Sequence, residues 1–144
     1  MGRRRRGREL ALKVLYRIDL TGEEWDSLRE RLEEYDAAES VRSFGASLVD
    51  TVLAHRADLD KIIVSVAENW RIERMATIDR NVLRVALAEY LVIGQTPAAV
   101  IIDEAVEIAG MFSTEESGRF VNGILDRIVR EHAPGSLAPS PPAG

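Results

Sequence analysis

The sequence predicts an all-α protein of about seven helices with no sheet. Apolar residues recur at intervals of three and four along nearly the whole chain, which is the periodicity of one face of an α-helix. No stretch alternates apolar and polar residues with a period of two, as a half-buried strand does. The chain has 144 residues, of which 46% are hydrophobic. That length and composition favour one compact folded domain.

Four apolar stripes predict the helices of the first half of the chain. The first stripe ends at the turn signal Thr21-Gly22, Ser40 is expected to cap the third helix, and Asp58 is expected to cap the fourth. The apolar members are Leu10, Val14, Leu15 and Ile18, then Trp25, Leu28, Leu32 and Tyr35, then Val41, Phe44, Leu48, Val52 and Leu53, then Leu59, Ile62, Ile63 and Val66.

Three further helices are predicted in the second half. Thr77 is the expected cap of the fifth helix, which ends at Gly94 and is apolar enough to be central. Pro97 starts the sixth helix, and Ser113 with Glu116 forms a predicted capping box for the seventh. Their stripes are Ile78, Val82, Leu83, Ala86, Leu87, Tyr90 and Leu91, then Val100, Ile101, Ala105, Ile108, Ala109 and Phe112, then Phe120, Val121, Ile124, Leu125, Ile128 and Val129.

Charge and proline content divide the chain into three parts. Residues 1–8 hold five arginines and no acid, although the net charge of the whole chain is -5, so residues 9–144 carry -10. Four of the five prolines fall in residues 134–144, which predicts a flexible tail. Residues 9–133 are then the folded helical domain. The arginines are Arg3, Arg4, Arg5, Arg6 and Arg8.

A basic N-terminal arm on an acidic protein favours a binding partner with phosphate groups, and a solvated arm that serves solubility is the alternative. Five arginines on five phosphates of a single strand predict a salt slope of about -3.5, a loss of roughly 100-fold in affinity between 50 and 200 mM salt. Tyr16 lies off the first apolar stripe, where its ring is able to stack on a base. Packing at the edge of the helix remains the alternative for this ring.

The sequence contains no recognisable catalytic or metal-binding motif. There is no cysteine, and His55 and His132 are the only histidines. Asp103, Glu104 and Glu107 have helical spacing but lack the Glu-x-x-His element of a di-iron bundle. We therefore expect no enzyme activity, no metal and no cofactor. Charged residues interrupt every apolar stretch, so no membrane segment is predicted and a cytoplasmic location is expected.

Four segments resemble the NusB family of bacterial transcription antitermination factors. The most specific is ESGRFVNGILDRI, preceded by AVIIDEAVEIAGMF, and within it the FVNG-x-LD element. RRGRELALKVLYRIDLTG, ENWRIERM and TIDRNVLRVALAEYL resemble earlier parts of the same family, in the family's order. Together these segments cover most of residues 5–130.

The resemblance implies two packed helical subdomains, about residues 9–57 and 58–133. Members of the family bind the boxA element of ribosomal-RNA leader transcripts together with NusE, a small-subunit ribosomal protein, and join the elongating RNA polymerase with other Nus factors. The residues implied to bind RNA are Arg3, Arg4, Arg5, Arg6, Arg8, Tyr16, Arg119 and Phe120, and those implied near the RNA or the partner are Glu73, Asp79 and Glu116.

Several alternatives stay open at this point. The same fold occurs as the RNA-binding part of ribosomal-RNA cytosine methyltransferases, so an RNA-binding subunit of an RNA-modifying system is one alternative. A helical protein-interaction module without RNA is another. The spacing of Phe120 and Ile124 is also typical of ordinary core packing. Some relatives self-associate, and the sequence does not decide between a monomer and a homodimer.

Overall fold

The computed structural model describes residues 2–67 and 72–137, except for the side chain of Glu73. These ranges contain six α-helices and no β-strand, which confirms the all-helical prediction. Two 3-10 turns and one π-helical segment complete the regular structure. The α-helices are α1 (Arg3–Thr21), α2 (Trp25–Arg29), α3 (Glu39–Val66), α4 (Thr77–Leu87), α5 (Ala98–Phe112) and α6 (Glu115–Glu131); the 3-10 turns are Leu32–Glu34 and Ile72–Arg74, and the π segment is Ala88–Ile93.

The predicted third and fourth helices are a single helix, α3. Asp58 lies inside it and caps nothing, so the prediction of a helix start there is wrong. The helix bends at His55, whose φ of -117° and ψ of 15° are not helical. Leu59 and Ile63 continue the buried stripe of Val52 beyond the bend. Burial of these side chains stabilises the helix on both sides of the bend. The helix therefore runs through residues 57 and 58, where the two subdomains were predicted to meet.

The N-caps predicted at Ser40, Thr77 and Ser113 are displaced by one or two residues. The N-cap residues of α3 and α4 are Ala38 and Ala76, where Ser40 and Thr77 were predicted. The hydroxyl of Thr114, one residue after the predicted Ser113, accepts the N–H of Ser117 at 3.0 Å and caps α6. Threonine and serine offer the same hydroxyl, so the sequence alone does not distinguish neighbouring candidates.

The N-terminal arginines belong to α1, which begins at Arg3. Helix α1 packs closely against α3, because each helix presents a glycine at the contact. A Cβ built on Gly7 lies 2.6 Å from the Phe44 ring, and one built on Gly45 lies 2.7 Å from the Leu10 side chain. The two helices therefore approach each other more closely than larger residues permit, and the predicted separate arm is a rigid part of this helix pair.

Helix α4 and the following π segment form the centre of the molecule, as predicted. Every residue from Asn81 to Val92 is buried, and α4 contacts α1, α3, α5 and α6. Two of its buried polar residues, Asn81 and Arg84, find partners on α1 and α3. Arg84 binds both oxygens of Asp60 at 2.8 and 3.0 Å, and Asn81 donates to Asp19 at 3.0 Å. One hydrophobic cluster spans the elements from α1 to α6.

The chain after α6 returns to the π segment. This segment ends at Gly94, whose φ of 66° favours glycine, and the predicted helix end is confirmed. The carbonyls of Tyr90 and Leu91 accept the N–H groups of Gly135 at 2.9 Å and Leu137 at 2.8 Å. The first residues of the predicted flexible tail are therefore bound to the fold, and residues 138–144 lie outside the described residues.

Candidate functional site

Two of the five N-terminal arginines are buried in a network of carboxylates. Arg5 and Arg8 are only 5% and 6% exposed. Arg5 binds Glu104 and Glu107 of α5, and Arg8 binds both oxygens of Glu89 at 2.7 Å and Glu104 at 2.9 Å. These bidentate, charge-assisted bonds fasten the start of α1 to α5 and to the π segment.

The carboxylates keep both buried guanidinium groups charged. The hydrogen bond with Glu104 is the main cause that raises the pKa of Arg5. Burial lowers the pKa of Arg8, but its bonds and charge interaction with Glu89 outweigh this effect and the net pKa is raised. Removing one partner of such a buried pair leaves an uncompensated charge, so this network is a structural element of the fold.

Arg6 is held by a different carboxylate. Its Nε and Nη2 donate to the two oxygens of Asp36 at 2.9 and 2.7 Å. The hydrogen bond from Arg6, followed by the N–H of Ala38, lowers the pKa of Asp36 to about 2. This pair ties α1 to the segment that precedes α3.

Arg3 and Arg4 are exposed, and neither contacts a carboxylate within residues 2–67 and 72–137. Arg3 donates to the Ser40 hydroxyl at 3.0 Å. The guanidinium carbon of Arg4 lies 4.2 Å from the centroid of the Phe44 ring, a stacked cation–π arrangement. Of the five arginines, these two are exposed and have no carboxylate partner among the described residues.

Tyr16 lies farther along α1 beside a shallow groove. Its side chain is 38% exposed, and the groove is also lined by Leu12, Lys13, Ile78 and Phe112. The Lys13 ammonium lies 5.7 Å from the centroid of the Phe112 ring. The groove therefore combines aromatic surface with a positive charge, which suits an unstacked base and a nearby phosphate.

A second groove, where α4 meets the start of α6, brings together three residues that the resemblance implied. Asp79 comes from α4, and Glu116 and Phe120 come from α6. Phe120 is half-buried and Glu116 is exposed. Arg119, next in sequence to Phe120, is exposed and has no carboxylate partner in the described part of the chain. The side chain of Glu73 lies outside the described residues. The remaining lining residues are Met75, Ala76, Thr114 and Ser117.

Asp79 is the most unusual group in this groove. It is 9% exposed, and its Oδ1 has no hydrogen-bond partner among the described residues. Burial raises the pKa of this carboxyl, and the Ser117 hydroxyl opposes the shift. A buried acceptor without a donor costs free energy, and a donor from outside the chain, whether water or a partner, would reduce this cost.

Sequence reasoning assigned Phe44 to the core, but this residue lies at the edge of the core. Phe44 belongs to the apolar stripe of α3, which predicts burial, but it is half-buried and carries Arg4 on its ring. This ring lies beside two serines of α3 and opposite two arginines of α1. That position follows only from the packing of α1 against α3. Within the described ranges, no group of three or more His, Cys, Asp or Glu side chains is arranged to hold a metal ion, and no helix is long and apolar enough to cross a membrane.

Comparison with known proteins decides the family. A model described as the NusB family matches residues 5–130. The chain belongs to the NusB family. The transcription antitermination protein NusB of Koribacter versatilis is 43% identical over 132 residues, covering 90% of each chain. That of Geobacter sulfurreducens is 45% identical over 130 residues, covering 89% of this chain and 94% of its own.

Solved structures of NusB proteins have the same fold. The NusB structure from T. maritima is 38% identical with a TM-score of 0.82, and the match covers 93% of this chain and 95% of that one. A structure described as antitermination factors NusB and NusE in complex with dsRNA contains a chain that is 31% identical with a TM-score of 0.79. That match covers 92% of this chain and all of the other. The resemblance seen in the sequence is thus confirmed.

Proposed function

We propose that this protein is a non-catalytic, cytoplasmic transcription antitermination factor that binds boxA of ribosomal-RNA leader transcripts together with NusE. The complex then joins the elongating RNA polymerase with other Nus factors. The observation that carries this proposal is the match over 92% of the chain to a protein solved with NusE and dsRNA. Relatives more than 40% identical are named transcription antitermination proteins, which supports the same function.

The proposed RNA surface consists of Arg3, Arg4, Tyr16, Arg119 and Phe120. Three of these residues are exposed arginines without a carboxylate partner in the described ranges, and two are aromatic rings with accessible surface. Single-stranded RNA is recognised by this combination, because cations bind the phosphates while aromatic faces stack on unpaired bases. The three exposed arginines without a carboxylate partner among the described residues, together with the 38% exposed ring of Tyr16, support the proposal.

Arg5, Arg6 and Arg8 have a different proposed role in the same site. Their guanidinium groups bind carboxylates of the chain itself, which neutralise their charge. We assign them to positioning: they hold the first turns of α1 helical and immobile. A rigid helix presents its outward arginines without the entropy cost that an unfolded arm pays on binding.

The acidic body is proposed to attract the protein partner. Residues 9–144 carry a net charge of -10, and a ribosomal protein such as NusE supplies cationic groups. Asp79 and Glu116 are proposed to face NusE or the adjacent RNA, as is Glu73. The unsatisfied Oδ1 of Asp79 supports this assignment, because a donor from a partner removes its desolvation penalty.

Fluorescence anisotropy tests the proposal. A labelled boxA RNA and a scrambled RNA are titrated with the protein, with and without NusE. We expect boxA to bind more tightly than the scramble, NusE to strengthen the difference, and Arg119→Gln to weaken binding. Arg130→Gln is the matched control, since Arg130 lies on the same helix, is also exposed, and binds Asp126. Equal, weak binding of both RNAs in the presence of NusE excludes boxA recognition and leaves a protein-interaction module.

A further inference from the structure

A groove runs between the first turns of α1 and the first half of α3, apart from the two grooves described above. Its α1 side carries two exposed arginines, and its α3 side carries a row of hydroxyls around an aromatic ring. The lining residues are Arg3, Arg4, Ser40, Ser43, Phe44 and Ser47. Among the described residues no carboxylate lines this groove, and Glu39 lies only in the adjoining depression at the Ala38 end.

The charge at this position is unfavourable for the isolated protein. Helix α1 begins with four successive arginines and has no acidic residue in its first turn, although the N-terminus of a helix is its positive end. Gly2 and Ala38 provide no side-chain cap for α1 or α3. Carboxylates of other elements compensate Arg5 and Arg6, but not Arg3 or Arg4. An anion bound from outside the chain neutralises the positive charge of Arg3 and Arg4.

The α3 side of the groove suits a nucleotide more than an isolated anion. The Arg4 guanidinium stacked on Phe44 forms a flat cationic surface, on which an unpaired base is able to stack. Ser43 and Ser47 are exposed and lie one helical turn apart. The Ser47 hydroxyl donates to the Phe44 carbonyl at 2.7 Å, which leaves its oxygen free to accept from a ribose 2′-hydroxyl.

We propose that this groove binds the ribose-phosphate backbone of single-stranded RNA that flanks boxA. The proposal rests on the RNA-binding function argued above and adds a second contact to it. Arg4 precedes Tyr16 by twelve residues of α1, about 18 Å along the helix axis. Nucleotides in this groove are therefore different from those at Tyr16. Cations, hydroxyls and a stacking surface do not distinguish base edges, so the contact is independent of sequence.

The test compares a minimal boxA RNA with the same RNA extended by unstructured nucleotides at either end, with NusE present. Wild-type protein is expected to bind the RNA extended at one of its two ends more tightly than the minimal RNA. With two arginines on two phosphates, this advantage falls about sevenfold between 50 and 200 mM salt. The variant Ser47→Glu introduces a carboxylate into the groove and is expected to abolish the advantage while binding the minimal RNA normally.

Ser65→Glu is the matched control. Ser65 is also exposed on α3, and its hydroxyl donates to the carbonyl three residues earlier, that of Ile62, at the same 2.7 Å. The two variants therefore change the net charge equally and lose the same local hydrogen bond. Ser65→Glu is expected to keep the full advantage of the extended RNA. Circular dichroism melts establish that both variants fold.

The outcomes separate this proposal from the proposed function. Specific boxA binding without any gain from either extension overturns the flanking site and leaves the boxA function intact. If the protein with NusE binds neither the minimal nor the extended boxA RNA specifically, the flanking site and the boxA function are both wrong. If Ser47→Glu changes self-association in analytical ultracentrifugation but keeps the advantage of the extended RNA, the groove contacts a second copy of the chain, and the RNA proposal is wrong.

Discussion

The N-terminal arginines are expected to contribute unequally to RNA binding. In the proposed RNA surface, three arginines have no carboxylate partner among the described residues: Arg3, Arg4 and Arg119. Arg6 is exposed enough to reach solvent but is bound by Asp36 at two points. The perturbation is therefore the double substitution Arg3→Gln/Arg4→Gln, compared with the single substitution Arg6→Gln.

The structure sets the size of the expected effect. Each phosphate neutralised on a single strand contributes about -0.7 to the slope of log affinity against log salt. Three available arginines give about -2.1, or roughly an 18-fold loss between 50 and 200 mM salt. Five free N-terminal arginines alone would give about -3.5 and roughly 100-fold. The double variant is expected to reduce the magnitude of the slope by about 1.4, the contribution of two phosphates.

The assay is anisotropy of labelled boxA RNA that carries unstructured nucleotides at both ends, so that the groove of Arg3 and Arg4 is occupied. NusE is left out, so that no cation of the partner enters the slope. Arg130→Gln serves as the control for the loss of an exposed arginine outside the proposed surface. Arg6→Gln is expected to leave the slope unchanged. If Arg6→Gln reduces the slope by about 0.7 while the protein stays folded, Arg6 contacts phosphate and the division into free and bound arginines is refuted.

Three further predictions concern charged groups that have a partner of opposite charge in the fold or lack one. Arg8→Gln leaves Glu89 buried without its bidentate partner, and we expect urea unfolding to show a loss of about 3–5 kcal/mol. Arg6 lowers the pKa of Asp36 to about 2, so the ionised carboxylate stabilises the fold above the unfolded pKa near 4, and this stabilisation is lost as the pH falls toward 2. In thermal melts at acidic pH, Asp36→Asn is expected to lack this pH-dependent part of the stability. Burial raises the pKa of Asp79, so its ionised form opposes folding, and Asp79→Asn is expected to raise the melting temperature at pH 7 while weakening NusE binding.

Each of these predictions has an outcome that contradicts it. Unchanged stability of Arg8→Gln means that the buried pair does not form in solution. Identical acid profiles for wild type and Asp36→Asn mean that Arg6 does not hold this carboxyl in the folded state. A lower melting temperature for Asp79→Asn at pH 7 means that the carboxylate has a stabilising partner, and full NusE affinity in that variant removes Asp79 from the proposed interface.

Local features of the fold were predictable because they depend on neighbours in sequence. The apolar periodicity predicted the helices, and Gly22 and Gly94 predicted two helix ends, since both adopt a positive φ that other residues avoid. The FVNG-x-LD element and its companions identified the family. The errors were also local. Thr114 caps α6 where its neighbour Ser113 was predicted, and the buried apolar stripe continues past His55, so the two predicted helices are one.

The sequence by itself determined that the protein is helical, that it belongs to the NusB family and that its positive charge is concentrated at the N-terminus. Only the tertiary structure decided which arginines are available. Arg5 and Arg8, three residues apart, face one side of α1 and meet Glu104 and Glu89, which lie 99 and 81 residues away in the chain. Arg4, on another side, meets no carboxylate among the described residues. Ion pairing depends on distance in space, so identical neighbours in sequence acquire opposite roles.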